Sequence, residues 1–409
     1  MTNKKLLFIW NYHYFPFEKG KSRFSDLLDA FVKEGYQVEV ITSSFYHMGK
    51  TQRNILDPKY QSLGYKATFV KEPGYKKNVS FARIRSMNHF NAGVKKILKT
   101  HEPVDTVYIP VPSIKLAAIG EKWCKKVGAK SVIDVEDLWP ESFRMILHSK
   151  VLYSLLTWPL KLQANKAYRK ADAIVTVSQT YLNRVKAARN YDFPAVVAPI
   201  GADRAFAHAI LAKSSLKKPQ GEFWISYIGT FGKSYDLRLL IDAVEELTNQ
   251  GYKNLVLKLM GSGPEEEAIK TYAAGKKAKI EFLGLLPYEK MCSILGVSDV
   301  GANPIVKGSV ASLINKVGDY AACSLPVLNT QDCPEYIDLL GRYHAGLSSP
   351  AGDLQGLEKN LKLMLDNPTE LIQMKQGSDE LSLNYLSRAK SQSDILALIA
   401  SIYGIKSQK

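Results

Sequence analysis

Three loops bring together residue types suited to a phosphorylated, hydroxyl-rich ligand. The first, Gly229-Thr230-Phe231-Gly232-Lys233-Ser234-Tyr235-Asp236, follows the β-rich run Phe223 to Ile228 and opens a helical stretch. Two glycines let backbone amides come close to a ligand, and a helix N-terminus adds partial positive charge. Lys233 supplies the point charge that a diphosphate needs. The competing reading is a plain strand-to-helix turn. The spacing is not G-x-x-x-x-G-K-[ST], which disfavours a P-loop nucleotidase. The second loop, Gly308 to Ile314, enters a helix that ends near Ser324, with Asn315 and Lys316 near its start and Asp319 one turn beyond Asn315. A basic and an acidic group so spaced can hold a phosphate and a sugar hydroxyl together; solvated helix charges are the alternative. The third, Asp134-Val135-Glu136-Asp137-Leu138-Trp139-Pro140-Glu141, has four carboxylates in eight residues beside a tryptophan. Contacts to sugar hydroxyls, with Trp139 as an aromatic wall, suit this composition better than a metal site, because no histidine is near. Gly261-Ser262-Gly263-Pro264 resembles a dinucleotide fingerprint, but Glu265, Glu266 and Glu267 occupy the place of the pyrophosphate. It is therefore read as structural.

Such loops need a scaffold that sets them side by side. In the first half, short apolar runs at Leu6 to Trp10, Val38 to Thr42, Thr106 to Ile109, Ser131 to Val135 and Ala173 to Val177 alternate with helical lengths. Ser22 to Lys33 places Phe24, Leu27, Leu28 and Phe31 on one face before Gly35. After the polar stretch Lys213 to Gly221 the pattern restarts, with strands expected at Phe223 to Ile228, Leu255 to Met260, Ile280 to Leu283, Val300 to Pro304 and Pro326 to Asn329. Alternation of this kind predicts parallel, doubly wound sheets, whose ligands bind at the carboxyl ends of the strands. The expected organisation is one α/β domain over 1–200, a second over 201–387, and a final helix, Lys390 to Tyr403 within 388–409, crossing back to the first; ligands are sought in a cleft between the two.

A chain of 409 residues suits two domains. Its first residues form too short an apolar run for a secretory signal, and no run is long enough to span a bilayer. With Cys124, Cys292, Cys323 and Cys333 lacking C-x-x-C spacing, a cytoplasmic protein with packed, reduced thiols is expected, a zinc site or disulfide framework being the lesser alternative. The net charge is +16, and residues 1–200 hold 32 Lys+Arg against 16 Asp+Glu while 201–409 hold 23 of each. The first half is therefore expected to face something anionic: nucleic acid, an acidic leaflet or a phosphorylated acceptor.

Taken in order, the loops resemble the family 4 glycosyltransferases of the GT-B fold, in particular those of bacterial exopolysaccharide and capsule synthesis. Residues 131–145 (SVIDVEDLWPESFRM) are similar to that family's DLWPE block, 171–178 (ADAIVTVS) to ADxIVxVS, and 198–203 (APIGAD) to PNGVD. Residues 227–243 (YIGTFGKSYDLRLLIDA) and 259–264 (LMGSGP) resemble its phosphate-loop and GxGP segments, and 315–329 (NKVGDYAACSLPVLN) its NKxxEYxAxGxPVI segment. Segments 36–48 and 75–86 look like the exopolysaccharide subgroup. The resemblance implies that a nucleotide diphosphate-sugar binds the second domain and the acceptor the first, and that transfer proceeds with retention, with no cofactor beyond this co-substrate and no obligatory metal. By motif position Thr230, Gly232 and Lys233 cradle the diphosphate, with Asn315 and Lys316 beside it. Asp319 holds the ribose, and Glu136 stands where many relatives carry a histidine next to the donor sugar. Asp137 follows it towards sugar or acceptor, and Gly20 and Arg23 close on the phosphates from the loop after the first strand. The catalytic set implied is thus Glu136, Asp137 and Lys233.

Several positions depart from the family pattern. Its paired glutamates would fall at Ala311 and Asp319, so the first is missing. The Arg and Lys that many relatives place before the helix become Ser234 and Tyr235, leaving Lys233 to substitute. Ser149 to Arg169 interleaves Val151, Leu152, Tyr153, Leu155, Leu156, Trp158, Leu160 and Leu162 with cations. It is read either as a surface for an anionic inner membrane leaflet or as a buried helix with solvated ends. Three rival functions are a nucleotide-sugar 2-epimerase of the same architecture, a basic nucleic-acid binder and a dinucleotide oxidoreductase. Asn11-Tyr12-His13-Tyr14-Phe15-Pro16 stands where the last needs G-x-G-x-x-G, and no nucleic-acid-binding signature accompanies the charge.

Overall fold

The computed structural model describes residues 3–18, 23–78, 80–111, 113–141, 149–308 and 313–404. The chain divides into two units, Met1–Ala198 with Gln392–Lys409, and Pro199–Ser391.

The strands of the amino-terminal unit are β1 (Lys5–Ile9), β2 (Gln37–Ser43), the short hairpin β3 (Phe45–Tyr46) and β4 (Thr51–Gln52), β5 (Lys66–Val70), β6 (Thr106–Val111), β7 (Lys130–Val135), β8 (Ala173–Thr176) and β9 (Ala195–Val197). Its helices are α1 (Arg23–Lys33), α2 (Phe81–Ile97), α3 (Ile114–Val127), α4 (Lys150–Lys170) and α5 (Gln179–Lys186). Seven strands form one sheet in the order β5-β2-β1-β6-β7-β8-β9, all pairs parallel. The order reverses between β1 and β6, the switch point of a doubly wound sheet. Strand β6 is buried along its whole length, as a parallel strand covered on both faces must be. On α1 the stripe Phe24, Leu27, Leu28 and Phe31 is buried against Leu6, Phe8 and Val40.

The carboxyl-terminal unit contains β10 (Phe223–Ile228), β11 (Leu255–Met260), β12 (Lys279–Gly284), β13 (Val300–Asn303), β14 (Val327–Asn329) and β15 (Gly346–Ser348). They are ordered β12-β11-β10-β13-β14-β15, again parallel. Helices α6 (Arg204–Lys213), α7 (Leu237–Asn249), α8 (Glu266–Ala273), α9 (Tyr288–Val297), α10 (Asn315–Ala322), α11 (Pro334–Arg342), α12 (Leu354–Asp366) and α13 (Pro368–Asn384) surround them. Asp236 caps α7 by accepting from the Leu239 amide at 3.1 Å, a contact worth about 1 kcal/mol. Its stripe Leu237, Leu240, Ile241, Val244 and Leu247 is fully buried, each side chain contributing about 1.5–3 kcal/mol. Leu240→Ala would remove part of that and open a cavity, costing about 2–5 kcal/mol.

The last helix, α14 (Arg388–Ser401), places Ile395, Leu398 and Ile399 in the amino-terminal core beside Phe8 and Tyr36. The Tyr403 hydroxyl donates to the Asp105 carbonyl at 2.6 Å. Most predicted strands begin and end within a residue or two of those observed. The sheets also contain β5, β9 and β15, which the pattern did not reveal. Two are three-residue strands, and β5 lies at a sheet edge with only Val70 buried, so none presents an apolar run. The four cysteines are free and buried. Among the described residues no helix is long and apolar enough to cross a membrane, and no three His, Cys, Asp or Glu side chains gather as a metal site would require.

Candidate active site

In the carboxyl-terminal unit β10 and β13 are neighbours at the point where the strand order reverses. The loop Gly229–Asp236 leaves β10, and α10 follows β13. Backbone bonds hold this loop on both sides. The Phe231 amide donates to Ser262 O at 2.9 Å, Glu265 N to Phe231 O at 3.0 Å, Asp236 N to Pro304 O at 3.1 Å and Val306 N to Ser234 O at 3.2 Å. The Gly-Ser-Gly-Pro segment is the support. A Cβ at Gly261 would lie 1.7 Å from the Gly229 carbonyl oxygen, and one at Gly263 would lie 2.3 Å from that of Phe231. Only glycine lets the two loops approach so closely.

Helix α10 is fixed to the strand ends by Tyr320. This fully buried hydroxyl donates to Ala302 O at 2.9 Å and accepts from the Ile228 amide at 3.1 Å. The N-terminus of α10 is thereby held beside the Gly229 loop. Ile314 occupies the cap position and offers no side-chain oxygen, so the first amides of the helix keep their capacity for an outside acceptor.

Lys316, the second residue of α10, is only 7% exposed. Its ammonium lies 3.9 Å from the ring centres of both Tyr227 and Tyr235, and a Cβ on Gly229 would stand 3.4 Å from it. Among the described residues Nζ is enclosed and has no hydrogen-bond partner. Burial alone drives its pKa well below that of an ordinary lysine, with no carboxylate to oppose it. One turn on, Asp319 accepts from the Tyr288 hydroxyl at 3.0 Å. Burial pushes this carboxyl up to about 6 against the Tyr288 hydrogen bond and the charge of Arg388. Thr230, Lys233 and Asn315 are exposed and Gly232 is half-buried. The structure therefore gives the enclosed cation to Lys316, whereas Lys233, expected to carry the central charge, stands outside at the loop's surface. Gly20 and Ala311 lie outside the described residues.

In the amino-terminal unit the four-carboxylate segment separates into two kinds of group. Asp134, at the end of β7 and fully buried, receives the Arg23 guanidinium and the Tyr108 hydroxyl, the latter at 2.5 Å. Glu141 is ion-paired with Arg184, which also donates to Asn165 at 2.9 Å. Glu136 and Asp137 follow at the carboxyl end of β7. Arg23 Nε approaches Glu136 at 3.5 Å, and a second Arg23 nitrogen donates to Ala198 O at 2.5 Å. Arg23, expected to close on phosphates, is held here by Asp134, Glu136 and Ala198. It is the first residue of α1, it is buried, and its guanidinium already serves the sheet's own acid. Trp139, expected as an aromatic wall, is half-buried and packs against the core with Leu138. Burial raises the Glu136 pKa despite Arg23, with Asp134 and Asp137 adding to the rise. Loss of hydration raises Asp137 too, opposed by Arg83. Arg83 donates to the Tyr12 hydroxyl at 3.2 Å. A carboxyl held largely protonated near neutral pH can donate a hydrogen bond or a proton.

Sequence reasoning missed Tyr108, Tyr227, Tyr288 and Arg83. Tyr227 and Arg83 lie in segments that resemble the family, but nothing local gives any of the four a role; their roles come from contacts 26 to 89 positions away.

Residues 222–367 match the family model described as glycosyl transferases group 1. Three solved structures are similar over almost the full length. Sucrose-phosphate synthase from Thermosynechococcus elongatus is 14% identical with a TM-score of 0.72, covering 98% of this chain and 99% of its own. HepE of Anabaena, solved in complex with UDP, is 12% identical with a TM-score of 0.65, covering 97% and 100%. WaaG, a glycosyltransferase involved in lipopolysaccharide biosynthesis, is 14% identical with a TM-score of 0.62, covering 95% and 98%. No curated protein matches the chain. The chain thus has two parallel-sheet α/β domains of the GT-B fold, and residues 222–367 of its carboxyl-terminal unit are similar to the glycosyl transferases group 1 model.

Proposed function

We propose that this chain transfers a sugar from a nucleotide diphosphate-sugar, UDP-sugar favoured, to a glycan or polyprenyl-diphosphate-linked acceptor in cell-surface polysaccharide synthesis. The observation that carries the reading is Lys316, an enclosed ammonium with two aromatic faces and no anion, beside a glycine loop and an uncapped helix N-terminus. A diphosphate satisfies all three features at once. The family's lysine before the helix is Tyr235 here, and its ring packs against Lys316, the lysine of the NK pair, so the enclosed charge lies on α10. HepE, whose structures hold UDP and UDP-glucose, shares the fold and supports a uridine carrier.

As the bond between the anomeric carbon and the leaving oxygen stretches, negative charge grows on the β-phosphate. Lys316, Lys233, the loop at Thr230 and Gly232, and the amides at Asn315 and Lys316 favour that charge with no metal in the step. Asp319 receives the ribose hydroxyls. Glu136 and Asp137, on the acceptor-handling unit, contact the sugar or the attacking hydroxyl, and transfer proceeds with retention. On α4, Val151, Leu155 and Trp158 are 79%, 73% and 62% exposed, with Lys161, Lys166, Arg169 and Lys170 further along the same helix. This arrangement favours the membrane-surface reading over the buried-helix one, and the excess positive charge of the first 200 residues favours an anionic leaflet.

The test is a thermal-shift panel of UDP-, GDP- and dTDP-sugars on the full chain. A UDP-sugar should raise the melting temperature most, and release of UDP should require an acceptor; turnover without one would indicate an epimerase. No stabilisation by any nucleotide sugar would refute the reading. Glu136→Gln and Asp137→Asn should lower turnover with UDP affinity unchanged. Binding to anionic vesicles at low salt should be lost in Leu155→Glu/Trp158→Glu.

A further inference from the structure

Tyr288 is the first residue of α9, and its hydroxyl donates to Oδ1 of Asp319 on α10 at 3.0 Å. The ring is half-buried, packs against the core of the carboxyl-terminal unit and stacks on Phe206 of α6, with centres 5.9 Å apart and planes 10° apart. A ring held on its face leaves the hydroxyl little freedom of direction. The Cys292 thiol, also on α9, stands within hydrogen-bond reach of the same hydroxyl. The hydroxyl has one hydrogen to give. Sulfur is a weak acceptor, whereas a carboxylate oxygen takes a charge-assisted bond, so the hydrogen goes to Asp319.

Asp319 is itself half-buried, and its other oxygen, Oδ2, has no hydrogen bond to any described residue. A carboxylate pinned through one oxygen presents the other in a fixed direction. The pinning matters more for an aspartate than for the glutamate that the resemblance places here, because the side chain is one methylene shorter and cannot bend to meet a ligand.

We infer that Tyr288 is a positioning residue: by holding Oδ1 of Asp319 it aims Oδ2 at a vicinal pair of hydroxyls, and so makes the site select a ribonucleoside diphosphate over its 2′-deoxy counterpart. Ribose as the occupant rests on the proposed function; the pairing of Tyr288 with Asp319 does not. A 2′-deoxyribose offers one donor fewer and leaves a lone pair of the carboxylate unmet against the ligand, which is how a polar site rejects an analogue.

The same bond favours the ionised carboxyl. The ionisable groups facing Asp319 are Tyr288 and Cys292 of α9, Tyr320 and Cys323 of α10 and its end, and Arg388 at the start of α14. Burial raises the carboxyl to about 6 against Tyr288 and Arg388. Without the hydroxyl, Arg388 alone opposes burial, and ionisation moves to higher pH.

The experiment uses the full chain and Tyr288→Phe, which keeps the ring and its stack on Phe206. In ligand-free protein labelled with carbon-13 at the aspartate carboxyls, the Asp319 signal is identified by its loss in Asp319→Asn. It should titrate at about 6 in the native chain and at higher pH in Tyr288→Phe. By calorimetry the native chain should bind UDP roughly 10-fold or more tighter than 2′-deoxy-UDP, the effect of one hydrogen bond to a charged group. Tyr288→Phe should reduce that preference ~3-fold or more and move the acidic limb of UDP binding to higher pH, neither of which a merely structural tyrosine would change. An unmoved carboxyl titration, or a ribose preference unaltered in Tyr288→Phe, overturns the inference while UDP binding leaves the donor reading intact. Equal binding of UDP and 2′-deoxy-UDP by the native chain does the same. A native chain that binds neither nucleotide refutes the donor reading and ribose selection with it, even where the carboxyl titration moves as expected.

Discussion

Each unit buries a cation near the carboxyl ends of its strands, and the two are held in opposite ways. Arg23 is 6% exposed and Lys316 7%. Around Arg23, burial works against the charge, but Asp134, Tyr108 and Glu136 outweigh it and raise the pKa. Around Lys316, burial acts alone and lowers it. An ionised group removed from water without a partner costs several kcal/mol, which aromatic faces offset only in part. A paired buried cation is therefore a structural member, whereas an unpaired one marks the place where an anion is expected.

The comparison is broken most directly at Arg23. Arg23→Met leaves Asp134 buried and uncompensated, which should cost about 3–5 kcal/mol, read as a melting temperature lowered by ~2–4 °C per kcal/mol. UDP affinity of the folded fraction should not change, and an unaltered melting temperature would contradict the structural role. Lys316→Met should do the reverse. The ligand-free protein should gain about 1 kcal/mol or more while UDP affinity falls roughly 10- to 150-fold, the effect of one charged hydrogen bond. Calorimetric titration and thermal denaturation together read both signs.

The pH profile of UDP binding sharpens the contrast. Asp319 must be ionised to accept from ribose, so affinity should rise as pH climbs through about 6. Lys316 must be protonated, so affinity should fall above its lowered pKa. Asp319→Asn should flatten the acidic limb only. For stability the sign differs. A raised carboxyl favours the folded state most below its ordinary value of 3.8, and that contribution is lost as pH rises through about 6. The smallest effect is expected at Lys233. Being exposed, it should change affinity by under ~1 kcal/mol on substitution with alanine, an effect that fades with salt.

Much of this was legible beforehand. The loop Gly229–Asp236, the helix entry at Asn315 and Lys316, and the segment Asp134–Glu141 were all found from residue types next to predicted strands. Such features depend on neighbours within a few positions. The division of labour inside each loop was not legible. Four carboxylates looked equivalent until Arg23 and Arg184 were seen to claim Asp134 and Glu141. Trp139 stood out as an aromatic wall, and only the fold shows that part of its surface packs against the core. Tyr227 and Tyr235 read as a strand residue and a turn residue until Lys316 was found between them.

By itself the sequence determined the alternation of strands and helices, the glycine positions where loops must touch, and the uneven charge of the two halves, because these follow from local sterics, periodicity and composition. Only the tertiary structure decided which lysine is enclosed, which arginine is paired and which apolar helix face is left uncovered. Burial and pairing are sums over groups brought together from distant parts of the chain, so a side chain's charge state and availability exist only once those neighbours are in place.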